Sequence, residues 1–135
     1  MATVQINREI LEAIIRQAKE EAPRECCGLL MGEGDVITHH RPMKNSLEST
    51  VRYEMEPREL FQFFKNLRAA NQKHLGIYHS HPVSDAYPSE TDIRESFYPD
   101  CAYFIVSLKD SRAPLVRAFR LLSDGAEELA ITEVD

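Results

Sequence analysis

A chain of 135 residues with 43% hydrophobic and 28% charged side chains has the size and composition of one soluble domain, able to bury roughly two-thirds of its unfolded surface around a single core. Its net charge of −6 argues against a nucleic-acid or anionic-membrane partner, either of which calls for a basic face. No apolar run reaches the length of a membrane span, the N-terminus carries no signal-peptide pattern, and Cys26, Cys27 and Cys101 are too few and too oddly counted for a secreted disulfide scaffold, so a cytoplasmic location is expected.

Val4 and Ile6 alternate with polar neighbours and predict a short opening strand. Asn7 then caps a helix in which Ile10, Leu11, Ile14, Ile15 and Ala18 recur at helical spacing to about Glu21, with Pro23 ending it. The run Cys26 to Gly32 is continuously apolar and reads as a strand covered on both faces. As strand neighbours Cys26 and Cys27 face opposite ways and act as small apolar residues rather than redox groups. Glu33-Gly34-Asp35 supplies a turn, and Val36 to Pro42 is expected to return as the second arm of a hairpin. His39 and His40 sit in that arm and point to opposite faces, so they cannot chelate one ion together. Asn45 to Val51 is a polar loop, and Arg52 to Met55 predicts a further short strand. Pro57 then opens a helix that carries Leu60, Phe61, Phe64 and Leu67 and runs to about Gln72.

Leu75-Gly76-Ile77-Tyr78 leads as a buried strand into His79-Ser80-His81-Pro82. Alternate strand residues share a face, which sets His79 and His81 about 6 to 7 Å apart at Cα, a separation at which two imidazoles converge on one ion. His74, five residues before His79, is expected on the opposite face and is left out of the site. Pro82 ends the strand, and a loop leads to Pro88-Ser89-Glu90-Thr91-Asp92. Ser89 is a good N-cap, and acid in the first turn suits the helix dipole, so Asp92 can turn back toward the histidines. This helix is expected to reach about Tyr98. A lone His-x-His or a lone Ser-x-x-Asp is common without a metal. Both, in this order and behind an apolar strand, describe two imidazoles, a carboxylate and an open fourth position, the donor set of a catalytic zinc site.

Cys101 to Leu108 reads as another buried strand, Leu115 to Leu122 as a strand after a turn, and Leu129 to Val134 as a strand closing the sheet at an edge. Strands and helices interleave in one unit over residues 1–135, so the expected class is α/β, a single domain with a mixed sheet and helices against it. Amide hydrolysis at such a zinc also needs a group that takes the proton of water and passes it to the departing amine. Glu25, at the mouth of the first buried strand, is the candidate. By composition alone, a solvated strand end is the commoner reason for a charge there.

Pro23 to Gly32, His79-Ser80-His81-Pro82 and Pro88 to Asp92 together resemble the JAMM (MPN-plus, Mov34/PAD-1) metallopeptidases, and the likeness extends through Asn45 and Arg52 to Pro57 over most of the chain. The joint pattern of a glutamate, His-x-His, seven residues and Ser-x-x-Asp is complete. The resemblance implies one zinc ion held by His79, His81 and Asp92, with Glu25 as general acid/base and Ser89 stabilising the oxyanion. It also implies a curved mixed sheet flanked by helices, similar to cytidine deaminases, in which strand 25–32 lies beside strand 75–80.

The segments 46–50 and 109–114 are short where members acting on ubiquitin chains carry insertions, so the chain resembles the minimal bacterial or archaeal type. That type implies cleavage of a peptide or isopeptide bond after the diglycine tail of a ubiquitin-like or sulfur-carrier protein. A small-molecule amidase on the same fold, or a non-catalytic MPN scaffold module, is the alternative, and either reading leaves room for a homodimer.

Overall fold

The computed structural model describes residues 2–135. Strand β1 (Thr3–Asn7) runs straight into helix α1 (Arg8–Glu21), because the Asn7 side chain turns back to accept from the Glu9 N–H at 2.9 Å and caps it. The chain continues through β2 (Cys27–Gly32), β3 (Val36–Ile37), β4 (His39–Met43), α2 (Pro57–Ala69) and β5 (Lys73–His81). It ends with α3 (Glu90–Arg94), β6 (Ala102–Ser107), β7 (Leu115–Leu122) and β8 (Gly125–Val134).

The strands form one mixed sheet in the order β3-β1-β8-β7-β6-β5-β2-β4. Its edge strands, β3 and β4, are consecutive in the chain and separated by Thr38 alone. A sheet whose opposite edges are one residue apart has to curl almost shut, and the Thr38 N–H between them bonds the Met31 carbonyl of β2 at 3.0 Å. One face packs α1 through Ile14 and Ala18 against Leu30, Tyr78 and Phe104. The other packs α2 through Phe63 and Leu67 against Leu29, Ile77 and Ile105. The α/β class and the curved mixed sheet flanked by helices are as expected.

Four expectations about elements are corrected. Residues 52–55 form no strand: the Glu54 N–H goes to the Asn45 side chain and the Glu54 carbonyl to Ser46, so side chains and a loop take the place of a neighbouring strand. Helix α3 stops at Arg94, four residues early, and the Tyr98 N–H is taken instead by the Tyr103 hydroxyl at 3.1 Å. The hairpin arm is divided, with β3 parallel to β1 and only β4 returning along β2. Finally, β8 is interior, antiparallel to β7 and parallel to β1. Its weak alternation hides this, since neither face of the strand is uniformly buried.

Gly28 marks a close approach between β2 and β5. A Cβ there would lie 2.1 Å from the Tyr78 hydroxyl oxygen and 2.2 Å from the ring carbon bearing it. The ring cannot yield freely, because Tyr78 is fully buried and its hydroxyl donates to Gln17 Oε1 at 2.5 Å. Gly28→Ala is therefore expected to lower unfolding stability by about 1–3 kcal/mol, the usual cost of overpacking. A urea midpoint equal to the parent's would show that the tyrosine moves aside.

Candidate metal centre

Strands β2 and β5 are antiparallel neighbours with Cys27 opposite His79 and Gly28 opposite Tyr78. Beyond the ladder's end the register holds: the Ser80 N–H bonds the Cys26 carbonyl at 3.1 Å and the Ser80 hydroxyl accepts from the Cys26 N–H at 2.8 Å. One step further, Glu25 falls beside His81, on the face that carries both imidazoles. Strand 25–32 thus lies next to strand 75–80. Ser80 carries no signal as a functional residue in the sequence beyond being polar in an apolar strand. Its buried hydroxyl locks the two strand ends that hold Glu25 and the histidines.

Asp92 reaches the same point from α3. His79 Nε2 and His81 Nε2 are 3.1 Å apart, and each is 3.2 Å from Asp92 Oδ2. Three donor atoms bound to zinc at 2.0–2.1 Å in tetrahedral geometry stand about 3.3 Å from one another. The observed triangle is close to one face of that tetrahedron, so this donor set fits a small divalent ion. The capping box fixes the carboxylate: Asp92 Oδ2 accepts from the Ser89 N–H at 2.9 Å, while Ser89 Oγ accepts from the Asp92 N–H at 3.0 Å. His81 Nδ1 contacts the Asp85 carbonyl oxygen at 2.7 Å, so that nitrogen carries the proton and Nε2 is left to bind a metal.

Electrostatics follow from burial and these contacts. Burial works to raise the Asp92 carboxyl, but the His79 charge and the hydrogen bonds from both imidazoles and the Ser89 N–H outweigh it and hold Asp92 well below the usual carboxylate range. Burial likewise works to lower His81, and the Asp92 and Asp85 contacts more than reverse it. Glu25 is 3% exposed, and burial pushes its carboxyl up to about 6 against the pull of the two histidines. Its Oε1 is buried with no hydrogen-bond partner among the described residues.

Among the described residues, His79, His81 and Asp92 are the one group of three or more His, Cys, Asp or Glu side chains close enough to share an ion. His39 and His40 stand apart on β4. His74 is corrected: a register shift where β5 passes Leu30 and Met31 turns it onto the face of His79. It is still no part of the triangle, and its ring is boxed edge-on by Phe63, Phe64 and Tyr98. The cysteines are unpaired, and burial pushes the thiols of Cys26 and Cys101 up to about 12 and about 11, which makes them poor nucleophiles.

Residues 7–122 match the family model described as prokaryotic homologs of the JAB domain. The chain belongs to the JAMM/MPN family, in its prokaryotic branch. Two curated members show how far the likeness runs. The CysO-cysteine peptidase of Mycobacterium tuberculosis is 31% identical over 132 residues, covering 96% of this chain and 90% of that protein. The desampylase of Haloferax volcanii is 36% identical over 103 residues, 71% of this chain and 74% of that protein. Among solved structures, protein DSY2949 from Desulfitobacterium hafniense superposes with a TM-score of 0.86 at 31% identity, covering 98% of this chain and 94% of that one. No described helix is long and apolar enough to cross a bilayer.

Proposed function

We propose that this chain is a zinc-dependent hydrolase that cuts the peptide or isopeptide bond following the C-terminal diglycine of a ubiquitin-like or sulfur-carrier protein. The observation that carries this reading is the triangle of donor atoms with a buried, unpartnered carboxyl on the adjacent strand. His79, His81 and Asp92 would hold the one zinc ion, which when bound supplies Lewis-acid polarisation of a water and of the scissile carbonyl. Glu25 takes the proton of the attacking water and hands it to the amine nitrogen as the C–N bond breaks, ending the cycle as it began. Ser89 Oγ accepts from the Asp92 N–H, which leaves its own proton free to donate to the oxygen that gains charge.

The substrate class is supported by the names of the relatives, a CysO-cysteine peptidase and a desampylase. An apolar hollow of about 150 Å³ adjoins Asp92 and is lined by Tyr53, Met55, Leu60, Ile77 and Tyr103. An extended tail fits beside it, and paired glycines let the backbone come close to the ligand triangle. We read the whole of 1–135 as one such domain, supported by the single sheet. The odd cysteine count supports a cytoplasmic setting.

The test is incubation with sulfur-carrier proteins bearing C-terminal extensions, read by mass spectrometry. Release of the carrier ending in diglycine is expected, abolished by chelator and restored by zinc. Cleavage that survives the chelator, or cutting confined to small amides, would remove the proposal. A second expectation concerns pH. With Glu25 as base, activity rises as its carboxyl ionises, and a bound cation pulls the value of about 6 downward. The acid limb of kcat/KM for the zinc enzyme is therefore expected at about pH 6 or below. A limb centred above 7 would point to another base.

A further inference from the structure

The two imidazoles of the triangle are held in different ways. His81 is anchored through Nδ1 to the Asp85 carbonyl. His79, 1% exposed, has a buried Nδ1 with no hydrogen-bond partner among the described residues, so the polar contacts of its ring are those of Nε2 within the triangle and none holds the ring from the far side. What lies against that ring is Tyr53, stacked at 4.6 Å between centroids and 27° between planes. An aromatic face at that distance favours one ring plane over others.

Tyr53 can serve this way because its backbone is held from both sides. The buried Asn45 side chain donates to the Arg52 carbonyl at 2.9 Å and accepts from the Glu54 N–H at 3.3 Å, bracketing residue 53. The same amide donates to the Glu25 carbonyl at 3.1 Å, and the Glu25 N–H bonds the Ser49 carbonyl at 2.8 Å. On the far side Arg52 pairs with Glu95 at 3.0 Å, just past the helix that carries Asp92. The segment from Asn45 to Met55 is thus tied to the main chain of Glu25 and to the end of α3, with the tyrosine ring between.

We infer that Tyr53 is a positioning residue for His79, its ring face taking the place of the hydrogen bond that Nδ1 lacks. The inference rests on His79 being a metal ligand, and it is tested by metal affinity rather than turnover, since Tyr53 also lines the hollow beside the site. Zinc dissociation constants are measured by chelator competition on the folded protein for the parent, Tyr53→Phe, Tyr53→Leu and His79→Ala. Tyr53→Phe keeps the ring and is expected to match the parent. Tyr53→Leu is expected to bind zinc on the order of tenfold more weakly, the low end of the loss seen when a group orienting a ligand is removed. The visible spectrum of the cobalt-substituted leucine variant is expected to change, and that of the phenylalanine variant to stay as in the parent.

Parent-like affinity in Tyr53→Leu would overturn the inference, and so would equal losses in the leucine and phenylalanine variants, which would assign the effect to the hydroxyl. His79→Ala separates the two levels. If it binds zinc like the parent, the ligand assignment itself is wrong and the inference falls with it. If it loses zinc while Tyr53→Leu does not, only the positioning role is refuted.

Discussion

Glu25→Gln is expected to bind zinc at the parent's stoichiometry and to lose on the order of 10²- to 10⁴-fold in turnover, the range of a positioned general acid/base. Glutamine has the shape of glutamate and accepts no proton at any working pH. Glu25 is not a member of the ligand triangle, and the bonds that tie its segment down are made by its main chain to Ser49 and Asn45, so the substitution leaves both intact. Zinc content by atomic emission alongside single-turnover rates separates the two effects. A variant with zinc bound and turnover unchanged excludes Glu25 as the base.

The same substitution has a stability signature of the opposite sign. The folded carboxyl stands at about 6 and its ordinary value is 4.5, so ionising it costs the fold free energy as pH rises from 4.5 through 6. The full penalty, about 2 kcal/mol, is present above that window and absent below it. Metal-free Glu25→Gln is therefore expected to gain stability over the parent between pH 4.5 and 6 and to keep the gain at pH 8. A difference that does not change with pH would mean that the buried carboxyl is not strained by its surroundings.

What could be read from the sequence was what local geometry dictates. The two-residue period of a strand puts His79 and His81 on one face, and the Ser89 cap fixes where Asp92 enters its helix, without knowledge of any distant residue. Glu25 is different: its place at the mouth of β2 makes it a candidate, but its nearness to His81 depends on the pairing of β2 with β5, and only the family likeness outweighs the commoner reading of a solvated strand end. The misplaced elements share a cause, which is that non-local partners set them. Parity counting puts His74 on the wrong face because it fails across an irregular register. The composition of residues 52–55 is strand-like, while their hydrogen bonds go to Asn45 and Ser46 in a loop. Tyr53 was visible as an aromatic residue, but nothing in its neighbours along the chain announces a ring stacked on His79.

Asp92→Ala is expected to weaken zinc binding by more than about 100-fold, beyond the loss typical of groups that merely orient ligands, and to abolish turnover. One oxygen, Oδ2, faces His79 Nε2, His81 Nε2 and the Ser89 N–H together, so the carboxylate serves both the ion and the helix cap. Alanine removes the ligand and one half of the capping box: the Ser89 N–H loses its acceptor, a cost of about 0.5–1.5 kcal/mol, while Ser89 Oγ keeps its bond from the backbone N–H of residue 92. Asp92→Asn separates them: its amide oxygen still accepts from the Ser89 N–H, while its neutrality deprives the two imidazoles of the negative charge that offsets a cation. The asparagine variant is expected to melt above the alanine variant but below the metal-free parent, because the charge contacts that hold the Asp92 carboxyl low are gone, and to share the alanine variant's loss of zinc. Full zinc occupancy in Asp92→Ala after gel filtration would end its role as a ligand. Retention of zinc in Asp92→Asn alone would mean that geometry rather than charge governs the third position.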